Sequence, residues 1–261
     1  MTPLALRQTG ALAWRSVVTT LRIPQSWFPA LFFPLALLAI FTASFGNAPG
    51  NLRGFPPVRG FLDFAIAGSI LQGVLIAGTG AGSAFAADME TGFFDRLVAS
   101  PVSRWAILTG RLGASVAQGV IQGLLFLGIA VAFGARVQTG FGGVAVLALF
   151  AALLAAAIGG IGVILAIRTG SGEAVQGTFP LFFILLFFSS AFFPRETMTG
   201  WYKSVADVNP ISHIVEGMRS QVIGGEAGDT LTGLAFAAGF AVLTVSVSAL
   251  AYRRRLATEG A

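Results

Sequence analysis

Apolar runs dominate this chain, and short polar segments punctuate them. A helix needs about 20 residues to cross a hydrocarbon core. Six stretches are long enough: Trp27–Phe45, Phe61–Ala87, Leu112–Phe133, Gly143–Ile167, Ala174–Phe193 and Leu231–Tyr252. The pattern predicts an all-α integral membrane protein with six spans over residues 27–252. In the first span Pro29 fits a first helical turn, and Pro34 predicts a kink. Residues 1–26 form a separate element, with Arg7, Arg15 and Arg22 inside an arc of roughly 80° on a helical projection. Leu6, Trp14, Val17 and Leu21 lie beside or beyond that arc, which predicts an interfacial helix with its arginines toward lipid phosphates.

The polar stretch between the second and third spans, Asp88 to Arg111, holds three of the eleven acidic residues and three of the sixteen basic ones. Within it Phe93, Phe94, Leu97 and Val98 recur at helical spacing and make one apolar face, with Asp95 and Arg96 on the other side. Asp88 and Glu90 are expected at the start of this helix, where its polarity favours negative charge. Pro101 ends the run, and Ser100 or Ser103 is placed to cap the next helix. Two phenylalanines on a water-facing helix are costly unless they enter lipid headgroups or a protein groove. The functional reading is a knob that fits the cleft of a soluble partner and receives force from it.

The 37 residues Pro194 to Thr230, before the last span, are too many for a hairpin connection. Asn209 can cap a helix that has Pro210 in its first position. Ile211, Ile214, Val215, Met218 and Val222 then repeat on one face, His213, Glu216 and Ser220 mark a polar one, and Arg219 flanks it. This predicts an external amphipathic or re-entrant helix, with Trp201 and Tyr202 at interface depth. A hydrogen-bonded network of His213, Glu216 and Arg219 is the expected arrangement. A metal site is not, since the chain has one histidine and no cysteine.

Polar groups inside the spans are few. Gln72 sits in the second span, and Gln118 and Gln122 lie one turn apart in the third. Such amides serve as interhelical glue or as the lining of a substrate path. Asp63, near the end of the second span, is expected to snorkel to water. The pairs Gly78 and Gly82, Gly119 and Gly123, and Ala155 and Gly159 have the small-xxx-small spacing that lets helices approach closely. The fifth span is rich in phenylalanine, with Phe179, Phe182, Phe183, Phe187, Phe188, Phe192 and Phe193. That surface suits amphipathic cargo or simply faces lipid.

Composition narrows the function. Only 10% of the 261 residues are charged and 55% are hydrophobic, against about 25% charged in a soluble domain. The net charge of +5 is spread over short loops and tails and makes no nucleic-acid patch. With the N-terminus inside, Arg7, Arg15, Arg22, Arg96, Arg104, Arg111, Arg168 and the basic run Arg253–Arg255 of the tail 253–261 lie on the cytoplasmic side, and Arg53, Arg59, Arg136, Arg195, Lys203 and Arg219 on the other. That distribution, and an even number of spans, predicts a multi-pass protein of the cell membrane with both termini cytoplasmic. The apolar run begins too late for a convincing cleaved signal. The single lysine, Lys203, is in no phosphate-binding loop, so no nucleotide site is expected here. Ionisable residues at mid-span are absent, which argues against an ion-coupled carrier.

The string Asp88, Glu90, Gly92, Asp95, Arg96, Leu97, Ser100, Pro101, Ser103, Arg104, then Gly110 and Arg111, resembles the cytoplasmic loop of ABC-2-type exporter permeases. The daunorubicin/doxorubicin resistance permease subfamily is especially similar. Phe192, Phe193 and Pro194, Trp201, then Asn209, Pro210, His213, Glu216 and Arg219 make a second match before the last span. The resemblance covers essentially the whole chain. It implies a permease without catalytic residues that dimerises with a second copy or a sister permease, pairs with two ATP-binding-cassette ATPase subunits that hold the ATP and Mg, and exports a hydrophobic or amphipathic compound. It implies that Glu90–Arg104 is the coupling helix (within 88–104) and that the fifth span borders the dimer interface and central path. Where many members have a Gly, Thr or Val, hydrophobic, Glu run, this chain has Gly92, Phe93, Phe94 and Asp95, a bulkier face. An ion-coupled secondary transporter and a membrane scaffold recruiting a soluble protein are the alternatives.

Overall fold

The computed structural model describes residues 3–22, 24–51, 54–56 and 58–259; Arg53 and the side chains of Leu21 and Pro29 lie outside the described residues. Among the described residues twelve α-helices follow one another: α1 Pro3–Leu21, α2 Pro24–Phe45, α3 Ala48–Asn51, α4 Phe61–Glu90, α5 Phe93–Ala99, α6 Arg104–Ala132, α7 Gly140–Thr169, α8 Gly172–Gln176, α9 Phe179–Phe187, α10 Gly200–Val208, α11 Pro210–Ile223 and α12 Ala227–Glu259. There is no strand among them.

Five helical segments of the described residues are long and apolar enough to cross a membrane: Ala30–Asn51, Phe61–Glu90, Arg104–Ala132, Gly140–Thr169 and Ala227–Ala257. They match five of the six expected spans. The fifth expected span, Ala174–Phe193, is not one helix. It is divided between α8 and α9 at Gly177 and Thr178, and the chain leaves helical geometry again at Phe188. Pro180 explains the division, because it occupies the opening turn of α9, where a missing N–H costs nothing. The nine residues of α9 rise only about 14 Å, roughly half of a hydrocarbon core. A run of apolar residues thus hides a broken helix. Pro29 is also not in a first turn, since α2 begins at Pro24.

α4 is the central post, with 89% of its apolar window buried. Ile66, Ile70, Val74, Phe126, Leu147, Phe150, Leu154, Ile158, Val215 and Met218 form the main core between α4, α6, α7 and α11. The small residues read from the sequence sit at these contacts. A Cβ added to Gly119 would lie 2.4 Å from that of Ala155, and one added to Gly78 would lie 2.6 Å from the side chain of Ile158. Ser115 Oγ donates to the carbonyl of Ala155 at 2.8 Å, which binds α6 to α7 with a satisfied polar group. By contrast the apolar windows of α2 and α12 are only 17% and 22% buried. Helices apolar on their outer face in this way belong in lipid or against another chain.

The long segment before the last span is ordered, as a 3-10 turn Arg195–Thr197, then α10 and α11. Asn209 caps α11 as expected: its Oδ1 accepts from the backbone N–H of Ile211 at 2.9 Å, and Pro210 takes the first position. Its amide also donates to the carbonyls of Leu185 and Phe188 at 2.8 and 2.9 Å, which ties α11 to the end of α9. Ile211, Ile214, Val215, Met218 and Val222 are buried in the main core, so α11 packs on the spans. Asp63 does not snorkel. It is 8% exposed and its Oδ1 accepts from the backbone N–H of Arg136 at 3.3 Å. Its place in the first turn of α4 suits a carboxylate, because the helix dipole is positive there.

Candidate functional site

The polar stretch between α4 and α6 folds as three pieces. α4 runs on through Asp88 to Glu90, Thr91 and Gly92 turn the chain, and α5 covers Phe93–Ala99. Gly92 has a φ of +66°, which an L side chain rarely adopts, and so permits the sharp break. Asp88 and Glu90 therefore end α4 instead of opening α5, on the side where the helix dipole disfavours negative charge. Both carboxylates are compensated. Asp88 pairs with Arg111 of α6 and lies 3.7 Å from Arg15 of α1. Glu90 Oε1 accepts from the backbone N–H of Gly172, at the start of α8, at 3.0 Å. Pro101 follows α5 as expected, but neither serine caps α6. Ser100 Oγ donates back to the Leu97 carbonyl at 2.7 Å, and Ser103 sits at the cap position without a side-chain capping bond.

The two phenylalanines of α5 have different fates. Phe94 is 1% exposed, so it is an internal anchor and not a protruding knob. It packs with Phe85, Ile107, Leu112, Val163 and Tyr252 in a second hydrophobic cluster, which Leu97 and Val98 cover. Phe93 is half-buried beneath the Arg15 guanidinium, 3.9 Å from its ring centre. Arg15 thus lies against Phe93 and Asp88 while staying part-exposed, and α1 is docked on α6. Gln8 accepts from the backbone N–H of Ser103 at 3.1 Å, and Thr9 and Thr109 share a hydrogen bond of 3.0 Å. The open side of α5 is polar: Asp95 and Arg96 are exposed, as are Pro101 and Arg104 nearby. Arg96 curls back to the carbonyls of Gly92 and Thr91 at 3.3 and 3.4 Å. The result is a rigidly seated helix that presents a charged ridge.

The residues expected along a substrate path do not all meet. Gln118 and Gln122 line one cleft of about 220 Å³ between α1, α2, α4 and α6, with Val17, Trp27, Leu31, Ile76 and Gly80 around them. Gln122 donates to the Ala30 carbonyl at 2.7 Å, so one amide is satisfied by the backbone of α2. Gln72 is not at this cleft. It is 1% exposed and its Nε2 has no partner among the described residues. The phenylalanines of α9 lie elsewhere again. Phe179, Phe183 and Phe187 form a ladder with ring centres 5.5 and 5.0 Å apart, and Phe183 reaches Phe33 of α2 at 5.5 Å. Phe182 turns into the main core.

At the far end of the bundle the expected network of His213, Glu216 and Arg219 does not form. Glu216 is held by Arg195, whose Nε donates to Oε1 at 2.7 Å. His213 stacks on Phe236 with 4.8 Å between ring centres and meets the Asp207 carbonyl at 3.1 Å. Arg219 is 4% exposed and points the other way, donating to the carbonyls of Phe64 and Ser190 at 3.1 and 2.6 Å with its guanidinium 3.7 Å above the Phe64 ring. Three residues on one helical face thus reach three different elements. Trp201 is exposed and leans on Phe188 and Tyr202. Burial pushes the Tyr202 phenol above its ordinary range, and its hydroxyl donates to the Phe187 carbonyl at 2.5 Å.

A family model for ABC-2 type transporters matches residues 7–223. The chain belongs to that family. It is 28% identical over 256 residues to the daunorubicin resistance ABC transporter permease protein DrrB1 of Streptomyces coeruleorubidus, covering 96% of this chain and 88% of the relative. It is 27% identical over 192 residues to the probable doxorubicin resistance ABC transporter permease protein DrrC of Mycobacterium tuberculosis, covering 71% of this chain and 70% of the relative. Over 205 residues it is 24% identical to the inner membrane transport permease YadH of Escherichia coli K12, covering 78% of this chain and 79% of the relative. Family membership and five long apolar helices make this ABC-2 chain a multi-pass membrane protein. Reading residues alone missed three parts of the site: the Asp88 to Arg111 pair, the docking of Arg15, and Tyr252. Only Tyr252 carried a signal, as one of two tyrosines and the residue just before an arginine run.

Proposed function

We propose that this chain is the permease subunit of an ATP-binding-cassette exporter that moves hydrophobic or amphipathic compounds out of the cell. α5 is its coupling helix. The observation that carries this reading is the division of labour within α5: Phe94 is locked into the bundle while Asp95 and Arg96 face outward. A helix anchored by one face and charged on the other can take a push from a soluble protein and pass it on. Two ATP-binding subunits supply that push, and ATP with Mg is held on them. The broken pair α8 and α9 serves as the fifth of six spans, α1 lies at the cytoplasmic interface, and both termini are cytoplasmic. A second copy or a sister permease packs on the exposed apolar faces of α2 and α9, and lipid covers the rest.

The cleft lined by Gln118 and Gln122 is where cargo first binds in this reading. Its walls are apolar and two amides give it polar anchors, which suits an amphipathic molecule. The names of the relatives make daunorubicin the natural first probe. The test is co-purification from membranes with an ATP-binding-cassette protein, followed by transport of daunorubicin into inverted vesicles. Reversing the ridge with Asp95→Arg and Arg96→Glu together should release the ATPase and abolish ATP-driven uptake. Uptake that persists with no ATPase bound, and that collapses with an ion gradient, would replace this reading with an ion-coupled carrier.

A further inference from the structure

Phe94 meets α12 as well as its own neighbours in sequence. Its ring stands edge-on to Phe85 of α4, with 5.6 Å between centres, and edge-on to Tyr252 of α12, with 6.1 Å. Tyr252 is 1% exposed, and its hydroxyl donates to the carbonyl of Arg104, the first residue of α6, at 2.9 Å. Less than one turn further on, Arg255 lays its guanidinium 5.7 Å from the Phe94 ring centre and donates to the Ile167 carbonyl of α7 at 3.3 Å. The last turns of α12 thus hold α5, the start of α6 and the end of α7 together.

This joint contrasts with the rest of α12, whose apolar window is mostly exposed. One face of α12 lies on α7, where a Cβ added to Gly160 would lie 3.0 Å from the Thr244 backbone, and a further close contact is at its opposite end. A Cβ added to Gly233 would lie 2.7 Å from the His213 carbonyl oxygen, and one added to Gly217 would lie 2.8 Å from that of Asp229, so α12 and α11 touch backbone to backbone. Between Gly233 and Tyr252 the helix contains no proline and spans about 29 Å. A proline-free helix held at both ends, with one face on α7 and the other open, has few places to kink and can pass a displacement along its axis. Close-packed aromatic sockets do not absorb a shift in one member.

We propose that α12 is a rod that carries movement of α5 across the membrane to α11, and that Tyr252 is the positioning residue at its driven end. This rests on the reading of α5 as the coupling helix. A displacement of Phe94 moves the Tyr252 ring that it abuts. The hydroxyl bond to Arg104 keeps α12 in register with α6 as it moves. At the other end α11 follows, and with it the Glu216 to Arg195 pair and the Arg219 contacts that hold the outer end of α4 and the turn at Ser190.

The chain has no cysteine, so paired spin labels can be placed without background. One pair, Ala99→Cys with Arg168→Cys, reports α5 against the end of α7. A second, Leu231→Cys with Phe141→Cys, reports the start of α12 against the start of α7. All four positions are exposed. Distances are measured on the permease with its ATPase partner in lipid nanodiscs, before and after trapping with ATP and vanadate. Both pairs should shift in the otherwise unaltered chain. In Tyr252→Ala the first pair should still shift and the second should not. Tyr252→Phe, which keeps the ring, should retain ATP hydrolysis while transport per ATP falls about fivefold, the equivalent of one hydrogen bond. A second pair that shifts undiminished in Tyr252→Ala overturns the rod. If neither pair moves in the unaltered chain, the reading of α5 falls, and the rod with it.

Discussion

Gly82 of α4 and Gly162 of α7 meet with no side chain between them: a Cβ added to either would lie 2.6 Å from the Cα of the other. That approach lets the two most buried long helices of the bundle pack at backbone distance, as small residues do in membrane helices. Gly82→Ala should therefore force the helices apart, with a loss of about 1–3 kcal/mol as for other overpacked contacts. Gly80→Ala is the control, because a Cβ there meets nothing within 4 Å. Thermal unfolding in detergent should separate the two, with only the first variant melting lower.

Arg219 is the most extensively bonded polar group in the core. It donates to the carbonyl of Phe64 in α4 and to those of Ser190 and Ala191 in the turn after α9, and stacks on Phe64. Arg219→Leu leaves the buried turn carbonyls of Ser190 and Ala191 without this donor and should cost about 3 kcal/mol. Arg219→Lys should recover only part of the loss, since an ammonium cannot reach in two directions at once. Melting curves of the three proteins in one detergent should fall in the order arginine, lysine, leucine.

Much of this fold is legible from residue order alone, and the failures have physical causes. Length and apolarity locate α4, α6, α7 and α12, because only a helix can satisfy its backbone in lipid. The same measure merges α8 with α9, since hydropathy is blind to a proline at a helix start. Spacing identifies the apolar face of α5 but not what lies against it. Phe93 and Phe94 are adjacent and chemically identical, yet one sits under Arg15 and the other enters a socket completed by Tyr252, 158 positions later. Asp88 reads as a helix-start acid because Arg111 lies 23 positions away, outside any local pattern. Asn209 and Pro210, by contrast, are local signals, and the cap they predict is present.

Gln72 carries a buried amide nitrogen with no acceptor among the described residues. An unpaired buried donor costs about 1–3 kcal/mol, so Gln72→Leu should raise the melting temperature of the isolated permease. If Gln72 serves the transport cycle, the more stable variant will also transport more slowly, because the acceptor it awaits is then never met. Measuring melting and daunorubicin uptake on the same preparation tests both halves. A lower melting temperature would mean that the amide is already paired in the resting protein.

Asp88 joins three helices through one carboxylate, by its pairs with Arg111 and Arg15. The Arg111 side chain is only 10% exposed and that of Asp88 18%, so this is a largely buried pair. Removing one partner of such a pair strands the other charge, at a cost of about 3 kcal/mol. Asp88→Asn should thus melt well below the parent. It should also loosen α1, because Arg15 loses its anion while Phe93 loses the guanidinium that covers it. Limited trypsin digestion checks this directly: cleavage after Arg15, slow in the parent, should become fast. Glu90→Gln is the matched control. Its oxygen can still accept from Gly172, it is exposed, and its effect should stay below about 0.5 kcal/mol. Equal sensitivity of the two variants to trypsin would show that the carboxylate of Asp88 does not hold α1 in place.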